Sequence, residues 1–304
     1  MTRARTRRLR RVHRQFAIGA LTVFLFFFAV AQTISADDKS LLWKVQSGPN
    51  AVYVLGSIHF LKKQNYPLAK DIEDAFARSS KLVLEINLLA LDPRETDKIT
   101  LQKSMNGNGV TLEQNVSPET YALTERKARE MGIDIRALNL FKTWSVALTL
   151  STIKLRQLGF DPAYGLDRYF AERAKNGGKP VAGLETLEDQ LGIFDHLSRS
   201  EQESMLRQTV QEMDRLGTSV ARIVQAWLTG DSSFLEGALL AQIREYPDLY
   251  SKLILERNQH WVPQIETMVK SGENALIVVG AAHLVGKDGV IQLLRQRGYI
   301  VEQM

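Results

Sequence analysis

No cysteine occurs in the 304 residues, which excludes disulfides, thiolate metal sites, cysteine nucleophiles and an acylated cysteine anchor. A bound metal would have to be held by His, Asp or Glu. Histidine is scarce, with five in the chain, so two in matching surroundings carry weight. Two hydrolytic signatures are missing: there is no G-x-S-x-G elbow and no H-E-x-x-H pair. GAAHLVGKD at 280–288 fails as a phosphate loop. Its glycines are one residue too far apart, and Asp288 stands where Ser or Thr belongs. No repeat of 20–50 residues and no low-complexity linker is present.

Acid is absent from residues 1–36, which hold seven arginines (Arg3, Arg5, Arg7, Arg8, Arg10, Arg11 and Arg14). The net charge of +5 comes from there, because the remaining 32 basic residues face 34 acidic ones. A basic surface for nucleic acid is therefore excluded. The arginines precede FAIGALTVFLFFFAVA at 16–31 and the small residues Ala29, Ala31, Ser35 and Ala36. A charged start, an apolar run and an Ala-x-Ala site describe an export signal. The run is slightly short for a spanning helix, which needs roughly 20 residues. Cleavage after Ala31 or Ala36 is the first expectation, and a retained membrane anchor the second. Either way residues 37–304 lie outside the cytoplasm, in the periplasm or tethered to the inner membrane.

With 44% hydrophobic and 24% charged residues, the chain has ample material for a core. LLWKVQSGPNAVYVLGSIHF reads as a β-hairpin around a Gly-Pro-Asn turn. IEDAFARSS is a short helix, and KLVLEIN at 81–87 a buried strand ending on Glu85 and Asn87. From about 95 to 270 the period is helical. Ser117 and Pro118 cap and start one helix that Gly132 ends. FKTWSVALTLSTIKLRQLG is an apolar helix packed on two sides, and DRYFAERAKNGG stops on glycine. KPVAGLE at 179–185 is a short strand ending in acid; ALIVVGAAH is a buried strand, DGVIQLLRQRG a helix and YIVEQ a last strand. The expected fold class is α+β. Both chain ends build a central mixed sheet, and a large helical insertion separates them.

His59, Glu85, Glu185 and His283 each end or closely follow an apolar strand. In open α/β sheets the carboxyl ends of strands form the ligand crevice, so the four converge if the strand order allows it. A glycine stands three places before each histidine, at 56 and 280. It permits a tight turn or a close approach of another chain. Such a set suits Zn, Mn, Co or Fe(II). An open metal position would acidify water to a pKa near 7 and polarise a carbonyl, with a free carboxylate as base. Each residue also has a plain structural reading. A single strand-end histidine is ordinary, a buried carboxylate such as Glu85 needs a partner, and Glu185 or Glu188 can start a helix. Arg257 and Asn258, on a helix beside Trp261, can bind a substrate carboxylate or pair structurally. Tyr164, Asp167 and Arg168 sit near a helix start, Tyr164 as a candidate substrate contact and Asp167 as a cap or dipole partner. His196 and His260 lie on helical stretches and are ordinary.

GSIH at 56–59, the strand ending in Glu85, GLDRYF at 165–170, GLETLEDQ at 183–190, ERN at 256–258 with Trp261, VVGAAHLVGKDGV at 278–290 and GY at 298–299 occur in order. Together they resemble the TraB/PrgY/GumN family, which includes the animal TIKI proteases, over about residues 40–304. The resemblance implies a metal-dependent protease acting on peptides, with His59, His283 and Glu85 as metal and catalytic residues. Other members limit peptide pheromone activity. The resemblance also implies a fold like the erythromycin-esterase and ChaN-type proteins. The second motif departs slightly, reading GAAH where GAGH is common.

The combined expectation is an exported hydrolase that cleaves a peptide or protein substrate with the help of Mn, Co or Zn. His59, His283, Glu85 and Glu185 would hold the ion, Glu85 would also serve as base, and Arg257, Asn258 and Tyr164 would contact substrate. The alternative is a protein of the same fold that binds a peptide, metal or porphyrin without turnover.

Overall fold

A computed structural model describes residues 39–47 and 50–304. The expected export segment and the Gly48–Pro49 turn lie outside the described residues. Among the described residues no helix is long and apolar enough to cross a membrane.

Strands β1 (Leu42–Ser47) and β2 (Asn50–Ser57) pair antiparallel, with Trp43 opposite Val54. The next three strands, β3 (Lys81–Ile86), β4 (Val181–Glu185) and β5 (Ala275–Gly280), run parallel to β2. The last, β6 (Val301–Gln303), pairs antiparallel with β1. The sheet order is β4-β3-β5-β2-β1-β6. It is the mixed sheet expected from the two chain ends, joined by β3 and β4 from between them.

Burial explains why the inner strands are unbroken apolar runs. Strands covered on both faces have no polar side to alternate with. In β5, Leu276, Ile277, Val278 and Val279 are all 0% exposed. Each such side chain contributes about 1.5–3 kcal/mol relative to an exposed one.

Helices supply the crossovers and most of the middle of the chain. Crossover helix α1 (Lys70–Arg78) links β2 to β3. Helices α2 (Pro93–Ser104), α3 (Leu112–Asn115), α4 (Pro118–Glu130) and α5 (Thr143–Gln157) follow. Ser117 caps α4, its hydroxyl accepting the Thr120 N–H, and Pro118 occupies the first turn. Helix α6 (Leu166–Asn176) leads into β4. After it come α7 (Leu187–Asp195), α8 (Arg199–Glu212), α9 (Leu216–Leu228), α10 (Ser232–Arg244) and α11 (Pro247–Tyr250). A π-turn over Ser251–Leu255 joins α11 to α12 (Glu256–Ser271), and α13 (Val290–Gln296) precedes β6.

Two apolar cores result. The larger surrounds the sheet. The smaller lies within the helical region, among residues such as Leu112, Ala128, Leu150, Leu206 and Val210. Helix α5 serves both, with Val146, Ala147 and Leu150 in the smaller core and Leu155 against the larger. That is the two-sided packing its apolar sequence predicts.

Candidate active site

Because β2, β5, β3 and β4 are parallel neighbours, their carboxyl ends share one edge of the sheet. His59 follows β2 by two residues, His283 closes a 3-10 turn (Ala281–His283) after β5, and Glu85 and Glu185 end β3 and β4. Two glycines allow the close approach. A Cβ on Gly56 would lie 2.4 Å from a Leu41 methyl and 3.3 Å from Ala281 Cα. One on Gly280 would lie 3.1 Å from Glu85 Oε1 and 3.8 Å from His59 Nε2. Neither glycine needs a positive φ; what each supplies is the missing side chain.

At the centre stands Arg257, near the start of α12. Its Nη2 donates to Glu85 Oε2 (2.6 Å) and Glu185 Oε1 (2.7 Å), and its Nε to Glu185 Oε2 (3.0 Å). Its Nη1 donates to the Leu253 carbonyl (3.0 Å) and to His283 Nε2 (2.8 Å). A guanidinium has five N–H donors, and all five have an acceptor here. The π-turn lies directly before it, so the same short segment presents both the Leu253 carbonyl and the arginine that binds it. The Arg257 guanidinium also lies 4.6 Å from the Trp261 ring centre, and Trp261 packs 4.5 Å from His283.

Glu85, 7% exposed, accepts from the Gly280 N–H (2.6 Å) and Gln190 Nε2 (2.8 Å) as well as from Arg257. Burial would raise its pKa. Interaction with the His283 ring, the charges of Arg257 and His59, and the Gly280 N–H outweigh it and hold the carboxyl at about 2. In this arrangement Glu85 is a saturated, weakly basic carboxylate.

His283 is 4% exposed. Its Nδ1 donates to Asn258 Oδ1 (2.7 Å), because Asn258 Nδ2 already donates to the Asp288 carbonyl (2.8 Å). With Nε2 accepting from Arg257, the ring is neutral with its proton on Nδ1. Burial agrees with this. It lowers the pKa to about 3 against the pull of Glu85, and Arg257 adds to the lowering.

His59 differs from the others in being 58% exposed. Its Nδ1 faces Asp167 Oδ2 at 2.8 Å, and Ser57 Oγ donates to Asp167 Oδ1 at 3.2 Å. The Asp167 charge raises the imidazole to about 9, with a smaller contribution from Glu85. His59 Nε2 has no hydrogen-bond partner among the described residues. Asp167, expected as a helix cap or dipole partner, does lie in the first turn of α6. Its carboxylate, however, is spent on His59 and Ser57.

The structure thus brings His59, Glu85, Glu185, His283 and Arg257 together, with Asn258 behind His283. Tyr164 makes no hydrogen bond or ring contact with these side chains: its ring packs 6.3 Å from Tyr66, and its carbonyl accepts the Tyr66 hydroxyl (2.6 Å). Asp167 and Gln190 join the set without having been singled out for it. Asp167 followed a helix-start pattern; it and Gln190 lie in the stretches GLDRYF and GLETLEDQ that carry the family resemblance, which mark the segments and not the individual side chains. His196, the residue that caps the end of α7, and His260, on α12, are both exposed.

As they stand, the donors do not fit a divalent ion. Glu85, Glu185 and His283 all point their lone pairs at Arg257, so the charge between them is a guanidinium. Among the described residues, no group of three or more His, Asp or Glu side chains is arranged to hold a metal.

A cavity of about 430 Å³ beside the cluster is lined by His59, Glu85, Asp167, Arg168 and Gln190, with Phe60 and Leu88. A second, of about 330 Å³, shares His59, Phe60 and Glu85 and reaches Arg257, His283 and residues of α5, α9 and α10. Both volumes fall in the range of ligand sites.

Residues 41–303 match the model of the TraB/PrgY/gumN family. The chain is 23% identical over 248 residues to the uncharacterized protein YbaP of Escherichia coli (strain K12), spanning 82% of this chain and 89% of that protein. It is 23% identical over 323 residues to Metalloprotease TIKI2 of Danio rerio, spanning 88% of this chain and 61% of that protein. A Metalloprotease TIKI homolog of Amphimedon queenslandica is 21% identical over 330 residues, spanning 89% and 62%. No solved structure matches the chain at a significant level.

Proposed function

The chain belongs to the TraB/PrgY/gumN family, and from that premise we propose that it is a hydrolase of peptide bonds working at the strand-end cluster. The observation that carries the reading is one exposed imidazole, held by a carboxylate, over a buried and fully satisfied Glu85–Arg257–Glu185–His283 floor. Metalloproteases among the relatives support a peptide or protein as substrate.

In this proposal His59 moves the proton. Asp167 orients the ring through Nδ1, so that Nε2 faces the cleft. The neutral ring takes a proton from water as the oxygen adds to the carbonyl carbon. It returns that proton to the nitrogen as the C–N bond breaks, leaving a carboxylic acid and an amine, and the acid then gives its proton to the amine or to water. Arg257 and the neutral His283 form a fixed electrostatic floor that does not have to reorganise during reaction.

The relatives' name brings a divalent ion, Mn, Co or Zn, into the proposal as the cofactor to test. Its donors would be His59 Nε2, His283 Nε2, Glu85 and Glu185, the last three of which Arg257 now engages. No step above depends on an ion. The arginine-rich start and the apolar run at 16–31 support export, with the domain outside the cytoplasm.

The test is a peptide library incubated with wild type and with His59→Ala, read by mass spectrometry, with and without chelator and each metal. Cleavage by wild type that is lost in a folded His59→Ala protein is the expected result. Equal products from both proteins would end the hydrolase reading. Cleavage abolished by chelator would make the ion essential.

A further inference from the structure

We infer that the 330 Å³ chamber on the helical side of the cluster receives a bulky aliphatic or aromatic side chain of the substrate, next to the bond attacked. The word substrate rests on the proposed hydrolysis; the chamber's preference for an apolar group does not.

The floor of the chamber is the cluster itself, with His59, Glu85, Arg257 and His283. Its wall is Leu155 of α5, Val220 and Ile223 of α9, Leu239 and Ile243 of α10, and Leu253 of the π-turn. These six side chains are only partly buried. On the same segments Val224, Leu235, Leu240 and Ile254 are 6%, 0%, 0% and 1% exposed. So α9, α10 and the π-turn carry fully buried apolar residues in the core and, at its margin, partly buried ones that pack on the core and also line the chamber. Apolar surface kept in contact with water at a cleft marks a place for an apolar ligand.

Chemistry and size narrow the occupant. Above the floor no charged side chain lines the chamber, so a charged group entering it would lose water without gaining a partner. A cavity of about 150 Å³ lined by Leu, Ile and Phe accepts benzene, so twice that volume accommodates a Leu, Met, Phe or Trp side chain. The 430 Å³ cavity shares His59, Phe60 and Glu85 but sets Asp167, Arg168 and Gln190 beside Leu84, Ile86 and Leu88. Outside the shared cluster, only that cavity offers charged partners to a bound chain.

Binding, not turnover, tests this. The full chain would be titrated with the N-acetyl amides of leucine, phenylalanine, aspartate and lysine, followed by NMR. The leucine and phenylalanine amides should bind at least about tenfold tighter than the charged pair. Ile223→Trp and Leu239→Trp, which fill the chamber, should each weaken apolar binding by about 10- to 100-fold. Leu155→Ala enlarges the chamber and should shift preference from the leucine to the tryptophan amide. Equal affinity for all four amides would overturn the assignment in wild type alone. So would apolar binding that survives both tryptophan variants in folded protein, or decanoate that displaces the amides and binds tighter than any of them. Selective binding without peptide turnover would sink the hydrolysis and leave the pocket standing. His59-dependent turnover without selectivity would do the reverse.

Discussion

Arg257→Met removes the charge at the centre of the cluster and keeps much of the volume. Five acceptors lose a donor: Glu85 Oε2, which keeps Gln190, both oxygens of Glu185, His283 Nε2 and the Leu253 carbonyl. The Arg257, Glu85 and Glu185 side chains are 11%, 9% and 6% exposed, so water cannot replace the guanidinium. Removing one partner of a buried pair typically costs about 3–5 kcal/mol, because the remaining charge stays buried. Here Glu185 loses its guanidinium donor at both oxygens and Glu85 keeps only neutral donors, the Gly280 N–H and Gln190, so the loss should reach that range in urea unfolding at pH 7. Adding Glu85→Gln should recover part of it, since one buried charge goes. The vacated space would be bounded by His283, Glu85 and Glu185, and a divalent ion could then supply the missing charge. Zn or Co at 100-fold its dissociation constant should return about 2.7 kcal/mol to the variant and leave wild type unchanged. The reasoning fails if Arg257→Met unfolds within about 1 kcal/mol of wild type, the scale of an ordinary substitution. It fails equally if wild type takes up stoichiometric metal with Arg257 still bonded to both carboxylates.

Acidification should weaken the fold in two stages. His283 titrates at about 3 when folded and near 6.5 unfolded, so its contribution is complete above pH 6.5 and falls as pH drops, by about 3 kcal/mol between 6.5 and 4.5. Glu85, held at about 2, adds a second loss as pH falls from 4.5 towards 2. Urea midpoints across this range should flatten between 6.5 and 4.5 in His283→Asn, which keeps a donor for Asn258; superimposable profiles would refute this. For turnover, a base of pKa about 9 makes kcat/KM climb about tenfold per pH unit from 7 to 9. Asp167→Asn removes the largest cause of that raised value and should move the climb to lower pH. A wild-type rate independent of pH over this range would rule His59 out as the base.

The strands that build the crevice were legible because burial on both faces leaves a simple trace, an apolar run such as LIVVG with a functional residue just past it. His59 and His283 stood out because histidine is rare and each follows Gly-x-x. Arg257 was visible only as one of two possibilities, substrate contact or structural pair. Its actual place depends on five simultaneous distances, which no spacing encodes. Asp167 was hidden for another reason: an acid in the first turn of a helix is so common that the pattern suggests nothing further. The apolar chamber was hidden because Val220, Ile223, Leu239 and Ile243 read as ordinary amphipathic faces. Only packing reveals which apolar residues at the margin of a core also line a cleft.

The strand order also sets a clock. His59 and His283 lie on adjacent strands but are separated by residues 60–282. Strand β5 inserts between β2 and β3, so before it arrives those two strands have no edge in common. A growing chain folds from its amino end as it appears, and contacts this distant in sequence form late. Strands β3 and β4 pair directly and can bring Glu85 and Glu185 together earlier, but His59 stands apart from both through nearly all of synthesis. The cluster is completed only when the penultimate strand docks and brings His283 with it. Arg257, made only 18 residues before the β5 strand begins, arrives in the same movement as its acceptors close around it.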